Sequence, residues 1–186
     1  MTKTISIVIL LLAVSYASTA RADEAAQRAF QQLQTLAGDW DGQDDAGHAV
    51  KTTFALAVSN TALLETLKMP DGYEMLTVYS VDQNTIALLH YCPTNNQPQM
   101  RAIPPDGAVR NLTFEFQRAG NLANLDIGHE RKLVIQFQDR DHITERWTWH
   151  QNGRDQDSVY RFARKARTRP WCLFRYLSLC FQLEKS

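Results

Sequence analysis

The chain has 186 residues, 44% hydrophobic and 22% charged, which is enough for one globular domain and too little for two full ones. Twenty basic side chains balance twenty acidic ones, which argues against the basic footprint of a nucleic-acid-binding domain. Three cysteines are few and odd in number, so no disulfide framework holds the fold.

The first 22 residues read as an export signal. Lys3 lies near the amino terminus, residues 5–14 (ISIVILLLAV) form an apolar run broken only by Ser6, and small residues lead to Ala20-Arg21-Ala22. A basic start, an apolar middle and an A-x-A end are the pattern of a secretory signal, cleaved after Ala22 or alternatively after Ala20. The run is shorter than the ~20 residues a spanning helix needs, so no transmembrane span is expected. No cysteine follows it to accept a lipid. Cleavage removes Lys3 and Arg21 and no acid, which leaves a net charge of −2. The mature chain is then weakly repelled by nucleic acid and anionic lipid.

Residues 23–36 (DEAAQRAFQQLQTL) predict one short helix, with acids at its start, Ala26, Phe30 and Leu33 at helical spacing, and Gly38 beyond its end. From Gly38 to Lys165 the apolar period becomes two. Val50, Thr52, Phe54, Leu56 and Val58 share one face; so do Leu133, Ile135 and Phe137, and so do Ile143, Trp147 and Trp149. Such alternation predicts half-buried antiparallel strands. Turn signals punctuate them at 44–47, 70–72, 82–84, 104–107, 138–141 and 151–153. The spacing predicts an all-β domain of about ten strands over residues 23–165, and closure into an antiparallel barrel removes the edges a long meander would expose.

Leu36-Ala37-Gly38-Asp39-Trp40 places a G-x-W at the first strand, just after the helix. This resembles the calycin superfamily of lipocalin-like barrels. The resemblance implies that Trp40 closes one barrel end under a basic side chain of the last strand, with Arg161 and Arg164 the candidates. Further stretches are similar to a family of secreted bacterial lipocalin-like proteins of unknown function: residues 62–67 (ALLETL), 75–79 (MLTVY), His90-Tyr91-Cys92, 96–101 (NQPQMR), 112–116 (LTFEF) and 144–149 (TERWTW). That likeness runs from about residue 30 to about 165 and implies a fold but no activity.

Two carboxylates break the apolar faces. Glu145 alternates with Ile143 and Trp147, and Glu65 with Leu63 and Leu67, so both are expected inside the barrel. A buried carboxylate must be paired or protonated. Arg101 and His90, the only basic residues between Lys68 and Arg110, are the expected partners. Gln97, Gln99 and Arg101 share one face of their strand. With Tyr79 and Trp147 these residues form a candidate ligand site: Glu65, Tyr79, His90, Arg101, Glu145 and Trp147. An internal salt bridge, or a face switched by a bulge, is the competing reading.

No catalytic residue, metal or cofactor is expected. His90 and Cys92 share a face, but neither His48 nor His129 has a spacing that completes a metal site, so Cys92 reads as a small hydrophobe. No C-x-x-C-H supports a haem. G-x-G-x-x-G, P-loop, H-E-x-x-H and G-x-S-x-G are all missing. Asn111-Leu112-Thr113 fits a glycosylation acceptor that a bacterial-type signal makes silent.

Residues 166–186 form an extension in which a basic run leads into Pro170, Trp171, Cys172, Leu173, Phe174, Tyr176, Leu177, Leu179, Cys180 and Phe181. Packing on the barrel, or no selected role, is preferred over peripheral membrane contact. The leading expectation is an exported binder of a small, partly apolar molecule. The alternatives are a hydrolase- or isomerase-type enzyme using an internal Glu/His pair, and a filled barrel with a structural role. Amino-terminal sequencing of the protein from its own host is expected to begin at Asp23 or Arg21; an intact Met1 in a cytosolic fraction contradicts export.

Overall fold

The computed structural model describes residue 21 and residues 23–166. The rest of the expected export signal and the extension after Ala166 lie outside the described residues. Helix α1 (23–34) turns Ala25, Ala26, Ala29, Phe30 and Leu33 inward, all buried. It ends in tight turns, with the Leu36 amide donating to the Leu33 carbonyl and the Ala37 amide to the Gln34 carbonyl.

Ten strands follow: β1 (Gly38–Gln43), β2 (Ala49–Ala57), β3 (Ala62–Lys68), β4 (Glu74–Asp82), β5 (Thr85–Tyr91), β6 (Gln97–Ala102), β7 (Asn111–Gly120), β8 (His129–Phe137), β9 (His142–Gln151) and β10 (Arg154–Arg164). Each pairs antiparallel with its sequence neighbour, and β10 returns to β1 with Arg164 opposite Trp40. The result is the closed all-β barrel the alternation predicts. Closure leaves no strand edge open to another chain.

The strand connections fall at two ends. Turns 58–61, 83–84, 103–110 and 138–141 surround α1, while loops 44–48, 69–73, 92–96, 121–128 and 152–153 form the far end. Gln34 Nε2 donates to the Asn60 carbonyl at 2.8 Å, and Arg28 donates to the Asp106 carbonyl at 3.0 Å, which fixes α1 across its end. Beneath it lie Leu36, Trp40, Phe54 and Phe162, all buried.

Trp40 and Arg164 lock this end. Trp40 is 1% exposed, and its indole donates to the Leu36 carbonyl at 2.8 Å. The Arg164 guanidinium lies 4.2 Å from the ring centroid and donates to the carbonyls of Ala37, Thr35 and Arg140 and to the Asp141 carboxylate. Of the two candidate basic residues it is therefore Arg164 that covers Trp40. Arg161 instead pairs with Asp45 on the outside.

Two expectations are corrected. Val58 does not continue the inward face of β2. Val58, Ser59 and Asn60 have φ of 49°, 53° and 67°, a left-handed run that turns the chain, and Val58 is exposed. Arg101 does not enter the barrel. Pro98, Met100 and Ala102 occupy the inward positions of β6, so Gln97, Gln99 and Arg101 face out. Arg101 donates there to Asp82 and to Thr85 Oγ1. Water solvates a guanidinium far better than an apolar lumen does, and Met100 fills the inward position without that cost.

Removing the Trp40 ring empties the closed end. Trp40→Ala is expected to destabilise the fold by ~3–5 kcal/mol, as for other core aromatic truncations. Arg164→Ala is expected to cost less, with a cation–π share of ~0.5–2 kcal/mol. Urea unfolding checks both, and a Trp40→Ala loss no larger than that of Arg164→Ala contradicts this account of closure.

Candidate functional site

Alternation brings polar side chains to the middle of the barrel from five strands. Inward positions of β2 and β3 carry Thr52 and Glu65; those of β4 carry Thr77 and Tyr79, and those of β5 and β9 carry His90, Glu145 and Trp147. Register sets Glu65 opposite Thr77, and Thr77 opposite His90. All seven are buried, and the two glutamates have no exposure at all.

Glu65 and Glu145 come from well-separated strands and face each other across the lumen. Glu65 accepts from Thr52 Oγ1 at 2.9 Å and from the Tyr79 hydroxyl at 2.6 Å. Glu145 accepts from the Trp147 indole at 3.1 Å, while its Oε1 receives no hydrogen bond. Burial raises the pKa of both carboxyls, and the Glu65 charge raises that of Glu145 further. The donors around Glu65 favour its ionised form. Glu145 is therefore the member that keeps the proton and shares it with Glu65.

His90 shares its Nδ1 with Thr77 Oγ1 at 3.0 Å, and its ring lies 4.7 Å from that of Trp147. Its Nε2 is buried with no partner. Burial lowers its pKa to about 4, so the ring is neutral near pH 7. His90 thus stands beside the carboxyl pair through Trp147 and does not serve as its counter-ion. Five of the six expected site residues converge, and Arg101 does not. No lysine or arginine is buried among the described residues, so a proton takes the place a cation was expected to fill.

Four further residues belong to this interior. Thr52 and Thr77 supply hydroxyls, and Tyr160, opposite Glu145 on β10, is buried. Glu130 lies farther toward the far end, opposite Trp149. The residue is partly buried, but its Oε2 is enclosed and has no partner. Burial raises the Glu130 pKa to about 8, and burial with the charges of Glu130 and Glu145 pushes the Tyr160 hydroxyl up to about 12. The alternation marks Thr52 and Tyr160. It hides Glu130, because a bulge between Glu130 and Lys132 shifts the face of β8.

The polar groups occupy the middle and the far end, and the apolar plug occupies the end under α1. The centre is well filled: Tyr79 packs on Phe114 at 5.6 Å between centroids, above Leu63 and Leu133. An open groove of about 700 Å³ lies on the outside instead, between β1, β10 and β9, lined by residues such as Asp41, Asp139, His142 and Arg161, and no expected site residue lines it. Cys92 sits half-buried in the loop after β5 and forms no disulfide among the described residues. No group of three or more His, Cys, Asp or Glu side chains among the described residues is arranged to hold a metal ion. Among the same residues, no helix is long and apolar enough to cross a membrane.

The buried acids give stability a defined pH dependence. A carboxyl whose pKa is higher folded than unfolded stabilises the fold below its unfolded pKa, and that contribution is lost as pH rises through the folded value. For Glu130 the window runs from 4.5 to about 8. His90 acts in the opposite sense, with stability lost as pH falls from 6.5 toward about 4. Urea midpoints are expected to fall between pH 6 and about 8.5, and Glu130→Gln is expected to flatten that decline. An unchanged slope in the variant contradicts the enclosed carboxyl.

Comparison with family models and with curated proteins finds no match to this chain.

Proposed function

We propose that the chain is an exported, lipocalin-like protein that holds a small, partly apolar molecule in the half of its barrel away from α1. One observation carries this reading. The lumen contains a polar cluster in which the fully buried His90 Nε2 has no hydrogen-bond partner and Glu145 Oε1 has none beyond the proton shared with Glu65. Leaving a buried polar atom unsatisfied costs ~1–3 kcal/mol. A barrel interior with no role but to be filled has no reason to retain such an atom beside a buried carboxyl pair, and a ligand or an ordered water satisfies it.

The G-x-W motif, the Trp40–Arg164 closure and the short helix before β1 support the lipocalin-like reading, and the apolar run of residues 5–14 supports export. The close packing of Tyr79, Phe114 and Trp147 favours a second reading, a filled barrel with a structural role. The enzyme reading has less behind it, because His90 bonds to Thr77 and not to a carboxylate.

Native mass spectrometry of the protein purified from its own host separates the readings. The binding reading predicts a retained small molecule that denaturation releases. It also predicts that Glu145→Gln weakens retention with little change in melting temperature, because the amide keeps the shape. A bare polypeptide mass together with a large drop in melting temperature for Glu145→Gln supports the filled barrel and overturns the binder.

A further inference from the structure

The lumen has a one-sided chemistry. Apart from the proton it shares with Glu65, Glu145 Oε1 has no hydrogen-bond partner, and neither has His90 Nε2, whose ring bonds through Nδ1 with Thr77 Oγ1. The Tyr79 and Thr52 hydroxyls donate to Glu65, and the Trp147 indole donates to Glu145. Among the described residues no buried lysine or arginine offsets the two carboxyls. A carboxylate or phosphate entering here meets the negative charge of the carboxyl pair and is repelled. An alcohol brings one donor and no charge to offset the pair.

An ammonium group brings three N–H donors and a positive charge, and the Trp147 ring beside Glu145 and His90 offers it an aromatic face. We propose that the Glu65–Glu145 pair is the seat for the ammonium head of a small amphipathic primary amine, with His90 Nε2 and the Trp147 ring completing it. This rests on the binding reading above and names the chemical class of its ligand. The apolar part of the amine points toward the far end, where Tyr73, Tyr91, Leu125 and Ile127 are exposed on or beside the loops. The end under α1 is blocked by Trp40 and Phe54.

Without ligand, a proton on Glu145 offsets part of the pair's charge. When the ammonium arrives, that proton leaves to solvent, and both carboxylates accept N–H bonds from the head. The other titratable groups facing the pair are Tyr79, Tyr160, His90 and Glu130, and none is cationic near neutral pH. Binding therefore releases a proton and strengthens as pH rises toward the raised pKa of Glu145.

Isothermal titration calorimetry of the full mature chain with 2-phenylethylamine, 2-phenylethanol and 3-phenylpropanoate tests this. The amine is expected to bind at least tenfold more tightly than the other two. Its heat is expected to vary with the ionisation enthalpy of the buffer as it must when about one proton is released. Glu145→Gln is expected to weaken amine binding at least tenfold. Should that variant fail to fold, the buffer dependence of the wild-type chain decides alone. Equal or tighter binding of the alcohol or the acid overturns the amine class and leaves the binding reading standing. No binding by any of the three overturns the amine proposal, and the binding reading then stands or falls on the retained molecule sought above. Amine binding without proton release overturns the seat at the carboxyl pair.

Discussion

Two carboxyl groups without a buried cation are the constraint around which the interior of this barrel is arranged. An isolated ionised carboxylate in a low-dielectric interior costs many kcal/mol, and proteins avoid that cost by pairing or by protonation. Among the described residues no lysine or arginine is buried, and the one histidine in the cluster is held neutral by burial. The remaining solution is to divide the roles. Thr52 and Tyr79 donate to Glu65 and make it the carboxylate, while Glu145, with the Trp147 indole as its only donor, keeps the proton. The hydroxyls of the cluster come from β2, β4 and β10 and are placed by register, so the arrangement depends on the closed barrel.

The two ends of the barrel have different physical characters. The end under α1 is dry and locked, since Trp40 is held from one side by the Leu36 carbonyl and from the other by the Arg164 guanidinium. Arg164 in turn satisfies the carbonyls of the turn that follows α1, so one side chain ties the first strand, the last strand and the helix together. Toward the far end the inward side chains become polar and the loops carry exposed Tyr and aliphatic groups. Ion pairs such as Lys132–Glu115 and Arg146–Asp157 are confined to the outer face, where each contributes ~0–1 kcal/mol. Charge on the outside serves solubility, and the few acids inside set the chemistry of the lumen.

Much of this is legible in the sequence, because a period of two leaves little freedom about which residues share a face. Ile143, Glu145 and Trp147 turn inward together, as do Leu63, Glu65 and Leu67. What alternation does not decide is which face of a mixed strand is the inner one. In β6, Gln97, Gln99 and Arg101 share a face as expected, but Pro98, Met100 and Ala102 on the other face win the interior. Nor does proximity along the chain say what a carboxyl meets: the group nearest Glu65 in function lies 80 positions away on β9. The bulge beside Glu130 and the left-handed turn at Val58 carry no period, so both come only from the folded backbone.

The central claim is that the lumen holds a proton between two glutamates in place of a cation. Carbon-13 NMR of the glutamate side-chain carboxyls, assigned with Glu65→Gln and Glu145→Gln, reads it directly. The account predicts a Glu145 signal that remains in the protonated range at neutral pH and ionises well above the usual value of about 4.3. Two signals that both titrate near that usual value would contradict it.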